Sequence, residues 1–113
     1  MRSGSLRRRI KIEHRNRVAD GGGGFEQGWS TYQDNIAARI VTTSGRESVI
    51  ADALAGVSTQ EIFVRESSRT REIDNLMRIV DKRDGKVYDI KSVWPDERRR
   101  VIKIMTQSGT RRE

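Results

Sequence analysis

The stretch 81–107, DKRDGKVYDIKSVWPDERRRVIKIMTQ, decides how the chain is read. Asp84-Gly85 stands between two runs with strand-like alternation, a strong local signal for a tight hairpin. It predicts a fourth strand around Met77 and Ile79 and a fifth from Val87 to Val93. Pro95 has no N–H to give to a sheet ladder, so WPDER reads as the connection to a sixth strand, RVIKIMTQ. On that reading Arg98 to Arg100 open the sixth strand, with Arg98 and Arg100 on one face and Arg99 on the other.

Working outward, the period of two recurs. In LRRRIKIEH, Leu6, Ile10 and Ile12 fall on one side and Arg7, Arg9 and Lys11 on the other, which predicts a half-buried first strand at a sheet edge. Positive side chains there discourage pairing with stray chains. The run RNRVADGGGGFEQG (15–28) reads as a flexible Gly-rich hairpin loop, because Gly21 to Gly24 lose the most entropy on ordering. A phosphate-cradling loop would need a following helix and a Lys, and neither is written there.

WSTYQDNIAARIVTTS resumes strand character, with Ile36, Ala38 and Ile40 on one face. Then the period changes. Ser44 and Glu47 form an S-x-x-E capping box, Val49, Ile50, Ala53 and Leu54 follow helical spacing, and Gly56 suits a C-terminal cap. A short helix over 45–55 is expected. STQEIFVRES reads as the third strand, SRTREIDNL as a loop or a single helical turn, and the end of the chain, 108–113, as a disordered tail. The fold class expected is mainly β: one domain, 1–113, a small six-stranded antiparallel barrel or sandwich with a short helix between strands two and three.

The chain has 113 residues, of which 34% are hydrophobic, enough for one small core that association with further copies would help to stabilise. Its net charge of +7 is uneven. Residues 1–17 hold seven Lys/Arg against Glu13 alone, residues 96–113 hold six against three acids, and the middle holds ten against twelve. Basic ends of this kind fit a nucleic acid or an acidic protein surface, or a plain solvated face. No apolar run approaches the roughly 20 residues of a membrane helix, and the basic start lacks the apolar core of a signal peptide. The absence of cysteine excludes disulfides, thiolate zinc sites and a cysteine nucleophile.

His14 is the single histidine, with no acid pair at metal-ligand spacing. Asp96-Glu97 makes a poor acid/base pair, since adjacent turn residues diverge and three arginines keep both ionised. No enzymatic activity, metal or cofactor is expected. Trp29, Tyr32, Tyr88 and Trp94 stand apart in sequence from the arginine clusters, so base stacking has little support, and Tyr88 and Trp94 are expected to pack in the core or at its rim.

Four ordered segments, GSLRRRIKI (4–12), TSGRE (43–47), VYDIKSV (87–93) and DERRR (96–100), together with the loop of Gly21 to Gly24 and Trp29, span nearly the whole chain. In that order and spacing they resemble the phage head-to-tail joining proteins, the stoppers or head completion proteins. The segment 65–78 departs from that pattern in lacking its usual tyrosine and proline/glycine turn, and the C-terminal end lacks the family's frequent cysteine. The resemblance implies a small barrel that forms a homo-oligomeric ring beneath the portal and adaptor of a tailed-phage or phage-derived particle, though monomeric in isolation. Such a ring, assembled in the bacterial host cytoplasm and carried in the virion, closes the DNA exit channel and presents the tail attachment surface. It implies a gating segment at Thr43, Ser44, Gly45, Arg46 and Glu47, within the connection from Thr43 to Ser58. The same resemblance turns the basic ends into contacts with a neighbouring subunit or an acidic ring, at Arg7, Arg9, Arg98, Arg99 and Arg100. DNA then lies nearby without being read. The alternative is a small basic nucleic-acid-binding barrel.

Overall fold

Isoleucine at alternating positions builds the core. Ile10, Ile12, Ile62, Ile79, Ile102 and Ile104 are all fully buried, and Val64, Ala38, Ile90 and Tyr88 complete the cluster they form. Branched side chains suit a pleated surface buried on one face. The structure, a computed structural model, describes residues 6–19, 21–42 and 58–108. Within them lie six strands: β1 (Arg8–Ala19), β2 (Phe25–Thr42), β3 (Ser58–Arg65), β4 (Met77–Asp81), β5 (Val87–Asp96) and β6 (Val101–Ser108). They close into a barrel in the order β1-β2-β3-β6-β5-β4, every neighbouring pair antiparallel. The expected helix over 45–55, the gating segment Thr43 to Glu47 and residues 109–113 of the expected tail lie outside the described residues.

Closure corrects the placement of the first strand. β1 is no edge: it pairs with β2 on one side and with β4 on the other, from Ile10↔Asp81 to His14↔Met77. Beyond His14 it pairs with β2 alone, and the two continue as a hairpin arm to Ala19↔Phe25. The strands therefore run deep into the expected 15–28 loop, and in the glycine run between them Gly21 and Gly23 take positive φ values of 82° and 89°. Those angles are open to glycine and strained for other residues, so the glycine run serves the turn.

Two register shifts occur where β1 faces β2, at Ile10/Ile12 and Ile12/Glu13. At the first, Asp34 and Asn35 sit as extra residues opposite Lys11, and Asn35 takes φ 55°. Such bulges increase local twist and re-aim side chains. On β1 itself Ile12 and Glu13 keep opposite faces, Ile12 in the core and Glu13 covered from outside by Lys11 and Arg78.

The Asp84-Gly85 hairpin forms as read, with Gly85 at φ 76°. Its loop is four residues long: the Asp81 N–H donates to the Lys86 carbonyl (2.9 Å) and the Gly85 N–H to the Asp81 carbonyl (2.8 Å). Of the two readings open for 68–76, the helical turn is the one adopted, a 3-10 turn at Thr70–Glu72. Thr70 Oγ1 donates to the Arg65 carbonyl (2.9 Å) and accepts from the Ser67 N–H (2.7 Å), which holds the connection down so that Ile73 joins the core.

The sequence reading fails around Pro95. β5 runs through it to Asp96, with Pro95 opposite Ile102. The reason is local: β4 pairs with β5 only over Val87–Asp89, so further along β5 has one strand neighbour among the described residues and tolerates a residue without an N–H. Arg98, Arg99 and Arg100 consequently lie in the turn and not in β6. Arg100 takes φ 56°, a left-handed conformation no strand can hold, so the expected shared strand face of Arg98 and Arg100 does not exist.

Candidate interaction surfaces at the two ends of the barrel

Because the strands alternate in direction round the barrel, its ends are set by connectivity. One, the terminus end, holds the start of β1, the end of β6, the β4–β5 turn and both roots of the β2–β3 connection. The other, the arm end, holds the β1–β2 arm, the β3–β4 connection and the β5–β6 turn. The five arginines expected to meet neighbours are thereby split, Arg7 and Arg9 at the terminus end and Arg98, Arg99 and Arg100 at the arm end. A single contact face cannot contain them all.

At the terminus end, Arg7, Arg8, Arg9, Lys82 and Arg83 line a cavity of about 300 Å³. Two carboxylates organise it. Asp81, fully buried, pairs with the Arg8 guanidinium and accepts the Arg83 N–H at 2.8 Å. The Lys82 N–H donates to the Arg9 carbonyl (3.0 Å), tying the turn to β1. The exposed Asp34 meets Lys82 Nζ at 2.9 Å, and that hydrogen bond, with one from the Asn35 N–H, holds its pKa below the ordinary value. The bulge at Asp34–Asn35 is what places this carboxylate opposite the turn.

At the arm end the β5–β6 turn is held lightly. Asp96 Oδ1 accepts the Arg99 N–H at 3.2 Å, its other oxygen lies 3.9 Å from the Arg99 guanidinium, and the Glu66 N–H reaches the Arg100 carbonyl at 2.9 Å. All three arginine side chains are exposed. Beside the turn, an open groove of about 880 Å³ runs over the outer wall formed by β3, β6 and β5, with Trp94, Phe63 and Pro95 as its apolar lining. Trp94 is 58% exposed, which corrects the expectation that it packs in the core or rim, whereas Tyr88 at 4% belongs to the core. The Trp94 indole N–H donates to Ser92 Oγ (2.9 Å), orienting the ring.

Folding also joins aromatic residues and arginines that the sequence keeps apart. Trp29 meets the guanidinium groups of Arg15 (5.0 Å from the ring centroid) and Arg78 (4.2 Å), and Arg69 covers Tyr32 at 4.6 Å. Tyr32 and Arg69 also exchange hydrogen bonds through their backbone carbonyls, which ties the β3–β4 connection to β2. Arg78 Nε meets Glu13 Oε1 at 2.7 Å and Lys11 Nζ meets Oε2 at 3.2 Å. Burial alone would push the Glu13 pKa up, yet the hydrogen bonds and charges of Arg78 and Lys11 outweigh it and hold the group below its ordinary value. With two guanidinium groups on Trp29 and Arg78 paired to Glu13, this cluster braces the root of the arm. No sequence signal links Arg78 to Glu13, 65 positions away. Among the described residues no group of three or more His, Cys, Asp or Glu could hold a metal ion.

The fold and these surfaces define a small basic antiparallel barrel with charged ends and one apolar outer wall. A family model for phage head completion proteins matches residues 1–109. The chain belongs to that family, and it is a structural component of a phage head. It is similar in fold to the solution structure of a protein from Shigella flexneri 2a, at 24% identity and a TM-score of 0.71 over 99% of this chain and 100% of that one. A chain in the virion of a native gene transfer agent particle is similar at 18% identity and a TM-score of 0.57, over 90% of this chain and 94% of that one. No curated protein matches the chain.

Proposed function

We propose that this chain is the stopper of a head-to-tail connector: a ring that docks below the portal and adaptor, closes the DNA exit channel after packaging and presents the tail attachment surface. The family match across residues 1–109 carries the reading. In it the protein acts by assembly, without catalysis and without a cofactor. Assembly takes place in the bacterial host cytoplasm, and the product stays at the head-to-tail interface of the virion.

The terminus end suits a gate. Thr42 and Ser58, the roots of the connection that contains the gating segment Thr43, Ser44, Gly45, Arg46 and Glu47, both belong to it, and so does the basic cavity of Arg7, Arg9, Lys82 and Arg83. Cations near an exit channel attract packaged DNA without reading its sequence, and such attraction weakens steeply with salt. That leaves DNA free to move once the channel opens. Electrostatics at the barrel ends then serve steering and register toward portal, adaptor and tail proteins.

Negative-stain imaging of the purified protein mixed with tailless, DNA-filled capsids tests the proposal. Added density at one vertex, with DNA retained, is the expected result. Capsids that leave the vertex bare or lose their DNA would overturn the stopper role. A strong preference for one DNA sequence at physiological salt would instead favour the nucleic-acid-binding alternative.

A further inference from the structure

We propose that the cavity at the terminus end is a seat for a backbone phosphate of duplex DNA, clamped by Arg9 and Arg83. The inference rests on the reading of that end as the one facing packaged DNA, and it narrows a general attraction to one defined site.

The balance of charge is the first observation. Arg7, Arg8, Arg9, Lys82 and Arg83 line a cavity of about 300 Å³, and neither an acid nor an apolar residue lines it with them. That volume sits at the small end for ligand sites and suits one compact group. The carboxylates around it are engaged elsewhere. Asp81 pairs with Arg8 and accepts the Arg83 N–H, Asp34 pairs with Lys82, and Asp84 accepts the Lys86 N–H at 2.9 Å. Among the described residues no acid pairs with the guanidinium of Arg9 or of Arg83, and both side chains are exposed.

Rigidity is the second. Leu6 and Ile10 are buried, so the alternation of the chain turns Arg7 and Arg9 outward together. The Lys82 N–H bond to the Arg9 carbonyl (3.0 Å) ties this wall to the β4–β5 turn, and the Asp81 and Gly85 N–H bonds close that turn. The Arg8–Asp81 pair anchors both walls to the core. The backbone that carries the cations is thus set before a ligand arrives, and the ordering cost falls on the side chains alone.

The third is what such a lining recognises. A guanidinium is a planar fork that meets two phosphate oxygens at once. A phosphodiester needs no apolar lining, and sequence-blind DNA contacts are made of such Arg and Lys pairs. A protein partner would bury an apolar centre, which this cavity does not offer. The roles divide accordingly. Arg8 and Lys82, already held by acids, are positioning residues that add to the field, and Arg9 and Arg83 meet the phosphate oxygens.

The isolated chain, isotope-labelled, is titrated in dilute salt with two short duplexes of unrelated sequence, with inorganic phosphate and with a polyglutamate peptide, each followed by amide NMR. Saturable shifts at residues 7–9 and 82–84 with either duplex are the expected result. Arg9→Gln with Arg83→Gln should weaken duplex binding about tenfold and lower the slope of log K against log salt by about 2, one for each phosphate contact removed. Arg98→Gln with Arg99→Gln removes the same charge at the arm end and should weaken binding far less. Thermal melts confirm that both variants fold, and the shifts in the unsubstituted chain test the site without any variant. Equal losses from the two pairs, or shifts spread over both ends, would overturn the site as bulk electrostatics. Saturation by phosphate without a response to duplex would overturn DNA as its source, and tighter binding of polyglutamate would give the cavity to an acidic protein. No capsid enters these titrations, so their failure leaves the stopper role to the vertex imaging, and a bare vertex with these shifts present would fail the stopper role and keep the site.

Discussion

Both ends of the barrel carry a cluster of three arginines, and the two are built in opposite ways. At the terminus end a fully buried carboxylate, Asp81, gathers the Arg8 side chain and the Arg83 backbone, so the cations there are mounted on the core. At the arm end three consecutive arginines hang on a turn whose carboxylate, Asp96, is half exposed and 3.9 Å from its partner. A positive patch can thus be either part of the fold or an addition to it, and counting arginines does not distinguish the two. Burial of the opposing acid does.

Truncating each acid breaks the comparison most sharply. Asp81→Ala strands Arg8 beside the core and should cost about 3–5 kcal/mol. Asp96→Ala, losing a solvent-screened pair, should cost about 0–1 kcal/mol. Urea unfolding of both variants, read as midpoint shifts, checks the contrast. Equal losses would mean that the two ends are built alike.

Glu13 comes next. Glu13→Gln leaves Arg78 and Lys11 without their carboxylate at a buried position, and should cost about 1–3 kcal/mol. Its pH dependence has a definite sign. A carboxyl held below its ordinary value of 4.5 stabilises the fold above that pH and loses the contribution as pH falls through the lower folded-state value. Thermal melts below pH 4.5 should therefore fall more steeply for the native chain than for Glu13→Gln, and parallel curves would contradict the pairing.

Smaller and of opposite sign is Arg100→Gly. A non-glycine residue in the left-handed region costs of order 1 kcal/mol or more, which glycine relieves at some entropic cost, so the variant should gain roughly 0.5–1 kcal/mol. Least of all should Arg98→Glu with Arg99→Glu change stability, within about 0.5 kcal/mol by urea unfolding. If the arm end is an assembly surface, the same pair should reduce incorporation into particles, measured by quantifying the chain in purified virions. Unfolding of that variant would show that the turn belongs to the core after all.

Much of the barrel was legible locally. The alternation in LRRRIKIEH, STQEIFVRES and RVIKIMTQ placed Ile10, Ile12, Ile62, Val64, Ile102 and Ile104 in the core, and Asp84-Gly85 marked its hairpin. Pro95 misled because its penalty depends on whether a strand lies on its N–H side, which no local window contains. Tyr88 and Trp94 carry the same expectation from sequence and share β5 in the structure, yet one is 4% exposed and the other 58%. Among the site residues, Arg7, Arg9, Arg98, Arg99 and Arg100 were visible as charge, while their division between two ends was not.

By itself the sequence determined the strand pattern, the basic ends, the absence of thiol chemistry and the family, because period, turn residues and composition act over a few neighbours. Tertiary structure alone decided closure of the barrel, the Arg8–Asp81 pair across 73 positions, the Trp29 stack and the exposed Trp94 wall. Each of these depends on which distant segments meet, and that follows from the register of the closed sheet.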